Sequence, residues 1–459
     1  MECLADYINN SPSLLALIPQ CSNTSTQNEF VEFASAFLQR QQVNYRHDEL
    51  FSHFASFISN ELTSSGLKAS LCYPSITVAF TQYREHQNEK QIFKKQLMFD
   101  LKLLLTPEEY DAELTSIPVY YMDRLSTAYP PLNTWIYETD IVGEQWRYQI
   151  EQGKLADNRQ SRKPLVKLDT DKLKHNVAST SNAIFRDSQT NEIIGLVLRN
   201  FVRRDDVRQW ASAILDNSIK MKKSVRLEDS GVIALEGYSA GSRSKPMFGW
   251  VKNLKTKVDA KTFQDQKYRA SSLFALLWNM SLKVLPLEIG NDIKQFLNDN
   301  PMYRMDAGSE GKSEMRFSLQ LGNHEIDFFG KELAPPSGVL GQNYSRHIHV
   351  EKSPHKYAIS WNNHRTLTDN YGGNFYFAHY GIRVASSADM LFVHKPADAH
   401  GTGLPWKNSD TDGVQYFTSG ISIITLSRIA SSWKRYQEKL IDFATFEAEI
   451  EELDEELDK

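Results

Sequence analysis

Cysteine is scarce in this chain: three among 459 residues, Cys3, Cys21 and Cys72, all near the N-terminus and too widely spaced for a Cys-x-x-Cys half-site. A disulfide framework and a thiolate-bound zinc are therefore not expected, and free or buried thiols suit a reducing compartment. Long apolar runs are missing as well, since none approaches the ~20 residues that a membrane helix requires. The start, Met1-Glu2-Cys3-Leu4-Ala5-Asp6, has no basic leader, and the short apolar patch from Leu14 to Ile18 stops at Pro19, so a secretory signal is not expected. There is no strong basic cluster of the nuclear-import kind and no internal repeat. An intracellular protein outside the membrane is the expectation, nuclear only if its substrate is.

What is present is ordinary in amount and uneven in placement. The hydrophobic content of 41% and charged content of 24% are those of a globular protein. At this length two or three units of typical size are expected. The net charge of −5 hides a segregation. Residues 151–270 carry roughly 24 Lys and Arg against roughly 14 Asp and Glu, while the last dozen residues are mostly acidic. A net of about +10 over the middle of the chain suits a polyanionic partner held through its phosphates.

Periodicity divides the chain. Phe30 to Gln39, Leu50 to Leu62 and Glu89 to Leu105 have helical apolar spacing, and Thr106-Pro107-Glu108-Glu109 has the form of a helix start. Residues 1–150 thus read as a helical N-terminal region, ended by Tyr129-Pro130-Pro131-Leu132 and by a polar linker from Asp157 to Pro164. From Ala183 the chain turns to short strands, Ile193 to Leu198 and Val232 to Leu235, with helices at Val207 to Leu215 and Ala270 to Leu285. After Arg316 to Leu321 follow strand-like runs at Tyr357 to Trp361, Phe375 to His379, Ile382 to Ala385, Met390 to Val393 and Ile421 to Leu426, a density that suggests a sandwich or barrel. Residues 151–435 form the basic segment and this β-rich domain, and 436–459 an acidic C-terminal helix or tail.

Eight of the 12 histidines lie between His324 and His400. Side chains alternate along a strand, so in Arg346-His347-Ile348-His349-Val350-Glu351 the side chains of His349 and Glu351 project together, and a later strand ending in Asp398-Ala399-His400-Gly401-Thr402 can bring His400 beside them. Two imidazoles and one carboxylate on one face of a metal leave three positions open, the facial arrangement of non-haem Fe(II) oxygenases. His347 shares the face of His349, so a His-x-His pair is a rival ligand set. A role for His347 in orienting a ligand is the other alternative. His355, His364, His379 and His394 read as surface or hydrogen-bonding residues, any of which could contact substrate.

Over Ser337 to Arg428 the chain resembles the Fe(II)/2-oxoglutarate-dependent dioxygenases of the double-stranded β-helix fold, and within them the TET/JBP-like branch of fungi, algae and protists. The resemblance rests on the His349–Glu351 pair, the Lys356-Tyr357-Ala358-Ile359-Ser360-Trp361 strand, the Gly372-Gly373-Asn374-Phe375 turn and the closing His400-Gly401-Thr402. It implies an α+β protein with a jelly-roll catalytic core, flanking helices and a helical N-terminal region. It also implies Fe(II) held by His349, Glu351 and His400, 2-oxoglutarate as co-substrate, and oxidation of a methylated base, 5-methylcytosine first, in nucleic acid. Glu351 stands where the family usually has Asp. The cation that usually pairs with the distal carboxylate of 2-oxoglutarate is missing from Thr418-Ser419-Gly420-Ile421-Ser422. Arg428 and Arg365 are the candidates to replace it, and Asn343 and Tyr344, just before the metal segment, are candidates to line the co-substrate pocket. Tyr344, Tyr357, Phe375, Tyr376 and Trp406 are aromatics that could stack on a base, or fill the core. Two other functions stay open: an oxygenase of the same fold acting on a protein or small molecule, and an inactive nucleic-acid or protein interaction module.

Overall fold

The computed structural model describes residues 88–152, 163–241, 246–312, 315–408 and 413–441. The chain divides into two compact units, 1–97 and 98–459. In the first, the described residues, 88–97, are helical. The helices expected at Phe30 to Gln39 and Leu50 to Leu62, the three cysteines, most of the Asp157 to Pro164 linker and the acidic tail lie outside the described residues.

The second unit is mixed α+β with large sheets. Its first helix, α1 (Pro107–Thr115), starts as its sequence indicates. The Thr106 hydroxyl accepts from the Glu109 N–H, the Glu109 carboxylate accepts from the Thr106 N–H, and Pro107 takes the first position, where no donor is needed. Two strands, β1 (Val119–Met122) and β2 (Trp135–Tyr137), and helix α2 (Asp140–Gln152) follow. Next come β3 (Leu165–Lys167), β4 (His175–Val177), β5 (Ala183–Asp187), β6 (Ile193–Arg199), helix α3 (Asp205–Met221), β7 (Ser230–Gly241) and β8 (Pro246–Trp250). Two helices, α4 (Ala260–Val284) and α5 (Leu287–Asp299), and a hairpin of β9 (Arg316–Leu321) and β10 (His324–Phe329) lead into the C-terminal strands. These are β11 (Ser337–Ser345), β12 (Ala358–Arg365), β13 (Phe375–Phe377), β14 (Ile382–Val384), β15 (Met390–His394), β16 (His400–Thr402) and β17 (Thr418–Ile423), before helix α6 (Ile429–Gln437).

Nine strands form one sheet in the order β1-β5-β6-β15-β12-β17-β11-β7-β8, and four form another in the order β16-β13-β14-β4. From β11 onward the chain alternates between them: β11 and β12 in the large sheet, β13 and β14 in the small, then β15 large, β16 small and β17 large. Phe185, Ile194 and Val197 of the large sheet meet Phe375, Phe377, Ile382 and Val384 of the small one in a shared core. β6 is buried along its whole length, which is why its sequence is a continuous apolar run without alternation. Gly195 within it is needed for close approach, because a Cβ there would sit 2.3 Å from the Phe377 ring. Helix α3 lies on β7, β11, β12 and β17.

Boundaries differ from the sequence reading where local chemistry intervenes. The strand expected to run to His379 stops at Phe377, because Ala378–Tyr380 make a tight turn closed by Gly381 at φ 62°. α3 and α4 are longer than their apolar cores, extended N-terminally by Asp205-Asp206 and by the Asp259 cap.

Candidate metal centre

His349 and His400 face each other across an antiparallel bridge in which each backbone N–H donates to the other residue's carbonyl, at 2.8 and 2.9 Å. Flanking bonds lock the register: Thr402 N–H to Arg346 O at 3.0 Å and Glu351 N–H to Pro396 O at 2.7 Å. The two imidazole centroids are 4.3 Å apart. Glu351 Oε1 lies 3.4 Å from His349 Nε2, and ligand atoms of His349, Glu351 and His400 all fall within 4.8 Å of one another.

The ring tautomers are set by the backbone. His349 Nδ1 lies 2.8 Å from the carbonyl of His347, and His400 Nδ1 lies 2.8 Å from that of Asp398. A carbonyl only accepts, so each Nδ1 carries the proton and each Nε2 is left with its lone pair, as a metal ligand requires. Both rings are buried. Burial pushes His349 down to about 3 and also lowers His400, keeping both neutral at ordinary pH. Burial works against the charge on Glu351, but Arg346, His349 and Arg226 outweigh it and hold the carboxyl well below the usual range. Two neutral imidazoles and one carboxylate are a donor set that fits a divalent iron.

The triad lines a cavity of about 200 Å³ together with residues of β11, β12, β15 and β17. Most of the wall is apolar, with Val339, Trp361, Phe375, Phe392 and Ile421 among its side chains. Two buried polar atoms of lining residues, His394 Nδ1 and Ser419 Oγ, have no hydrogen-bond partner in the protein. Buried polar groups are seldom left so, and a polar ligand in the cavity would satisfy them.

Asn343 and Tyr344 both line this cavity. Asn343 sits at φ 50° where β11 is irregular, a conformation Asn tolerates, and its side-chain oxygen accepts from the Thr418 N–H at 2.8 Å. The Tyr344 hydroxyl donates to Asp229 at 2.5 Å. Neither Arg428 nor Arg365 is brought to the cavity wall. Arg428 donates to the Gly241 carbonyl at 2.7 Å. Arg365 donates to the carbonyls of Leu367, Thr368 and Gly372 and to the Tyr416 hydroxyl, so it serves as a clamp for the Gly372-Gly373 turn. The cations that do face the triad are Arg346 and Arg226, both buried, both in contact with Glu351 Oε1. Arg346 is adjacent to the motif, but Arg226 is 125 residues away and carries no local signal.

The remaining candidates separate cleanly. His347 lies outside the ligand cluster and packs edge-on to Trp135, contributing its carbonyl to His349. His394 stands 4.6 Å from the His400 ring, centroid to centroid. His379 accepts the Ala399 N–H at 2.9 Å, steadying the segment that carries His400, while His355 and His364 lie off the cavity wall. Of the aromatics, Tyr344 and Phe375 line the cavity, and Tyr357, Tyr376 and Trp406 do not. Part of the basic middle segment turns into the fold, while residues such as Lys220, Lys223, Lys252 and Lys261 stay exposed. Lys222 is buried against Glu236 at 2.7 Å, Arg204 pairs with Asp100 and Asp206, and Arg199 and Lys267 are buried.

No protein-family model and no curated protein matches the chain. A solved structure titled "NgTET1 in complex with 5mC DNA" is similar at a TM-score of 0.34 and 8% identity, over 62% of this chain and 88% of that one. Among the described residues no helix is long and apolar enough to cross a membrane.

Proposed function

We propose that the chain is a non-haem Fe(II)- and 2-oxoglutarate-dependent dioxygenase of double-stranded β-helix type, with His349, Glu351 and His400 as the metal ligands. The observation that carries this is the pair of imidazoles whose Nε2 atoms are freed by backbone carbonyls and meet one carboxylate in the wall of a cavity. The alternation of the C-terminal strands between two sheets, with the distal histidine pairing back to the His-x-Glu segment, supports the jelly-roll reading. Bound iron would supply oxidative chemistry coupled to decarboxylation of the co-substrate. The chain's own residues orient the ligand rings through His347 and Asp398, exclude water with Trp361, Phe375 and Phe392, and offer Asn343, Tyr344, His394 and Ser419 to what binds there.

A methylated base in nucleic acid, 5-methylcytosine first, is the substrate we propose. His349 and His400 are buried, so a methyl group on a base stacked in a duplex cannot reach them, and the base would have to be flipped out or presented single-stranded. A second reading, a small-molecule or protein substrate, is favoured by the inward use of Lys222, Arg199 and Arg204, which reduces the charge left for phosphate contacts. Mass spectrometry of nucleosides from 5-methylcytosine DNA incubated with the protein, Fe(II), 2-oxoglutarate and ascorbate separates them. Oxidised nucleosides absent with the His349→Ala, His400→Ala variant support the base; unchanged DNA alongside substrate-independent succinate release supports the second reading.

A further inference from the structure

Arg124 lies just past β1, and the fold brings it to the loop that carries the distal histidine. Its Nη1 donates to Asp398 Oδ1 at 2.5 Å across a separation of 274 residues, and its Nη2 donates to His379 Nδ1 at 2.6 Å. The same ring nitrogen accepts the Ala399 N–H at 2.9 Å. Two N–H donors converging on one nitrogen require its lone pair, so the His379 proton sits on Nε2 and Arg124 is left as the donor to the Asp398 carboxylate. The other oxygen, Oδ2, has no hydrogen-bond partner among the described residues; Lys395 Nζ stands 3.9 Å from it and is paired with Glu192 at 3.0 Å.

Backbone bonds carry the connection inward. The N–H groups of Leu125 and Tyr129 donate to the carbonyls of His379 and Ala378, each at 2.8 Å, and the Ala378 N–H donates to the Ala399 carbonyl at 2.7 Å. Asp398 is thus held from outside through its side chain, while its carbonyl, 2.8 Å from His400 Nδ1, orients the ligand ring inside. Resting on the metal centre proposed above, we propose that Arg124 is a positioning residue for His400, acting through Asp398 and His379. The Arg124 side chain is 44% exposed, so its ion pair contributes little to global stability, and its loss should show in the order of the ligand rather than in the fold.

Full-length protein with isotope-labelled histidine reports the His400 ring by nuclear magnetic resonance before any metal is added, and the His400→Ala spectrum identifies its signals. In the unsubstituted chain His400 should hold a single tautomer with the proton on Nδ1. Arg124→Met should lose that single form and give averaged nitrogen signals. Its Co(II) affinity, measured by competition with a chromophoric chelator, should fall at least tenfold. Arg124→Lys keeps a charge beside Asp398 but has no fork to span His379 as well, so it should recover part of the loss. Arg147→Met removes an exposed ion pair with Glu151 on α2 and should change neither reading. An Arg124→Met protein that keeps the His400 tautomer and binds Co(II) within twofold overturns the proposal, as does an equal fall in Arg147→Met or a lysine variant no better than the methionine one. If the unsubstituted chain and His400→Ala bind Co(II) alike, the metal-centre reading fails, and the metal-free spectra alone decide whether Arg124 sets the His400 ring.

Discussion

Gly401→Ala is a minimal substitution at a point where fold and site meet. A Cβ on Gly401 would lie 2.8 Å from Ile348 Cδ1, 2.9 Å from the His347 carbonyl oxygen and 3.0 Å from its carbon. Ile348 is buried in the core shared with Tyr376 and Ala399, so it has little room to yield. The His347 carbonyl must then retreat by about half an ångström to reach ordinary contact, and it is the oxygen that holds the His349 Nδ1 proton. Overpacking of this kind costs about 1–3 kcal/mol of stability. Disturbing the group that orients a metal-bound histidine costs about 10–100-fold in metal affinity. Gly322→Ala is the control for a fold destabilised away from the site: Gly322 has a positive φ, 57°, that a side chain strains, but nothing lies within 4 Å of its added methyl. Both variants should lose stability in urea titrations, and only Gly401→Ala should lose Co(II) affinity in competition with a chromophoric chelator. A folded Gly401→Ala protein that binds Co(II) within twofold of the unsubstituted chain would refute the claim that the His347 carbonyl governs the ligand.

Other perturbations reach different parts of the account. Lys222→Met strips Glu236 of its buried partner and should cost about 3–5 kcal/mol in urea unfolding, with much of that regained in Lys222→Met/Glu236→Leu; equal losses in the two would count against the pair. His355 is buried with neither ring nitrogen partnered, and burial pushes it down to about 4, so the unfolded chain takes up its proton first. Its stabilising contribution is complete above the ordinary histidine pKa near ~6.5 and is lost as pH falls toward 4, by up to ~3 kcal/mol. His355→Phe should therefore flatten the stability profile in that window, and an unchanged slope would contradict the assignment. Arg428→Ala should leave 2-oxoglutarate affinity within twofold, since Arg428 spends its contact on Gly241; a tenfold loss would return it to the site.

The parts of this protein that were legible in the sequence are those governed by local rules. Ile193 to Leu198 announces a doubly buried strand by its unbroken apolar run, and Thr106-Pro107-Glu108-Glu109 announces a capped helix. His349, Glu351 and His400 do converge, although His349-Val350-Glu351 lies outside the strands, between β11 and β12, and is joined to His400 by an isolated bridge rather than by the strand alternation expected of it. Arg226 could not be found this way, since its meeting with Glu351 is made by the packing of β7 against β11. Arg365 and Arg428 lie on or just after the strands expected to carry a co-substrate cation, but only the structure shows their donors spent on carbonyls. Nor does composition say which cations of residues 151–270 face outward: Lys223 and Lys252 are exposed, while Lys222 is buried against Glu236 and Arg204 pairs with Asp100 and Asp206.

The most direct test of the metal centre is an anaerobic Co(II) titration followed by visible absorption, run on the unsubstituted chain and on His349→Ala and His400→Ala. One equivalent per chain, with a d–d spectrum lost in both variants, is the predicted result. No binding by the unsubstituted protein, or the same equivalent bound by both variants, would contradict it.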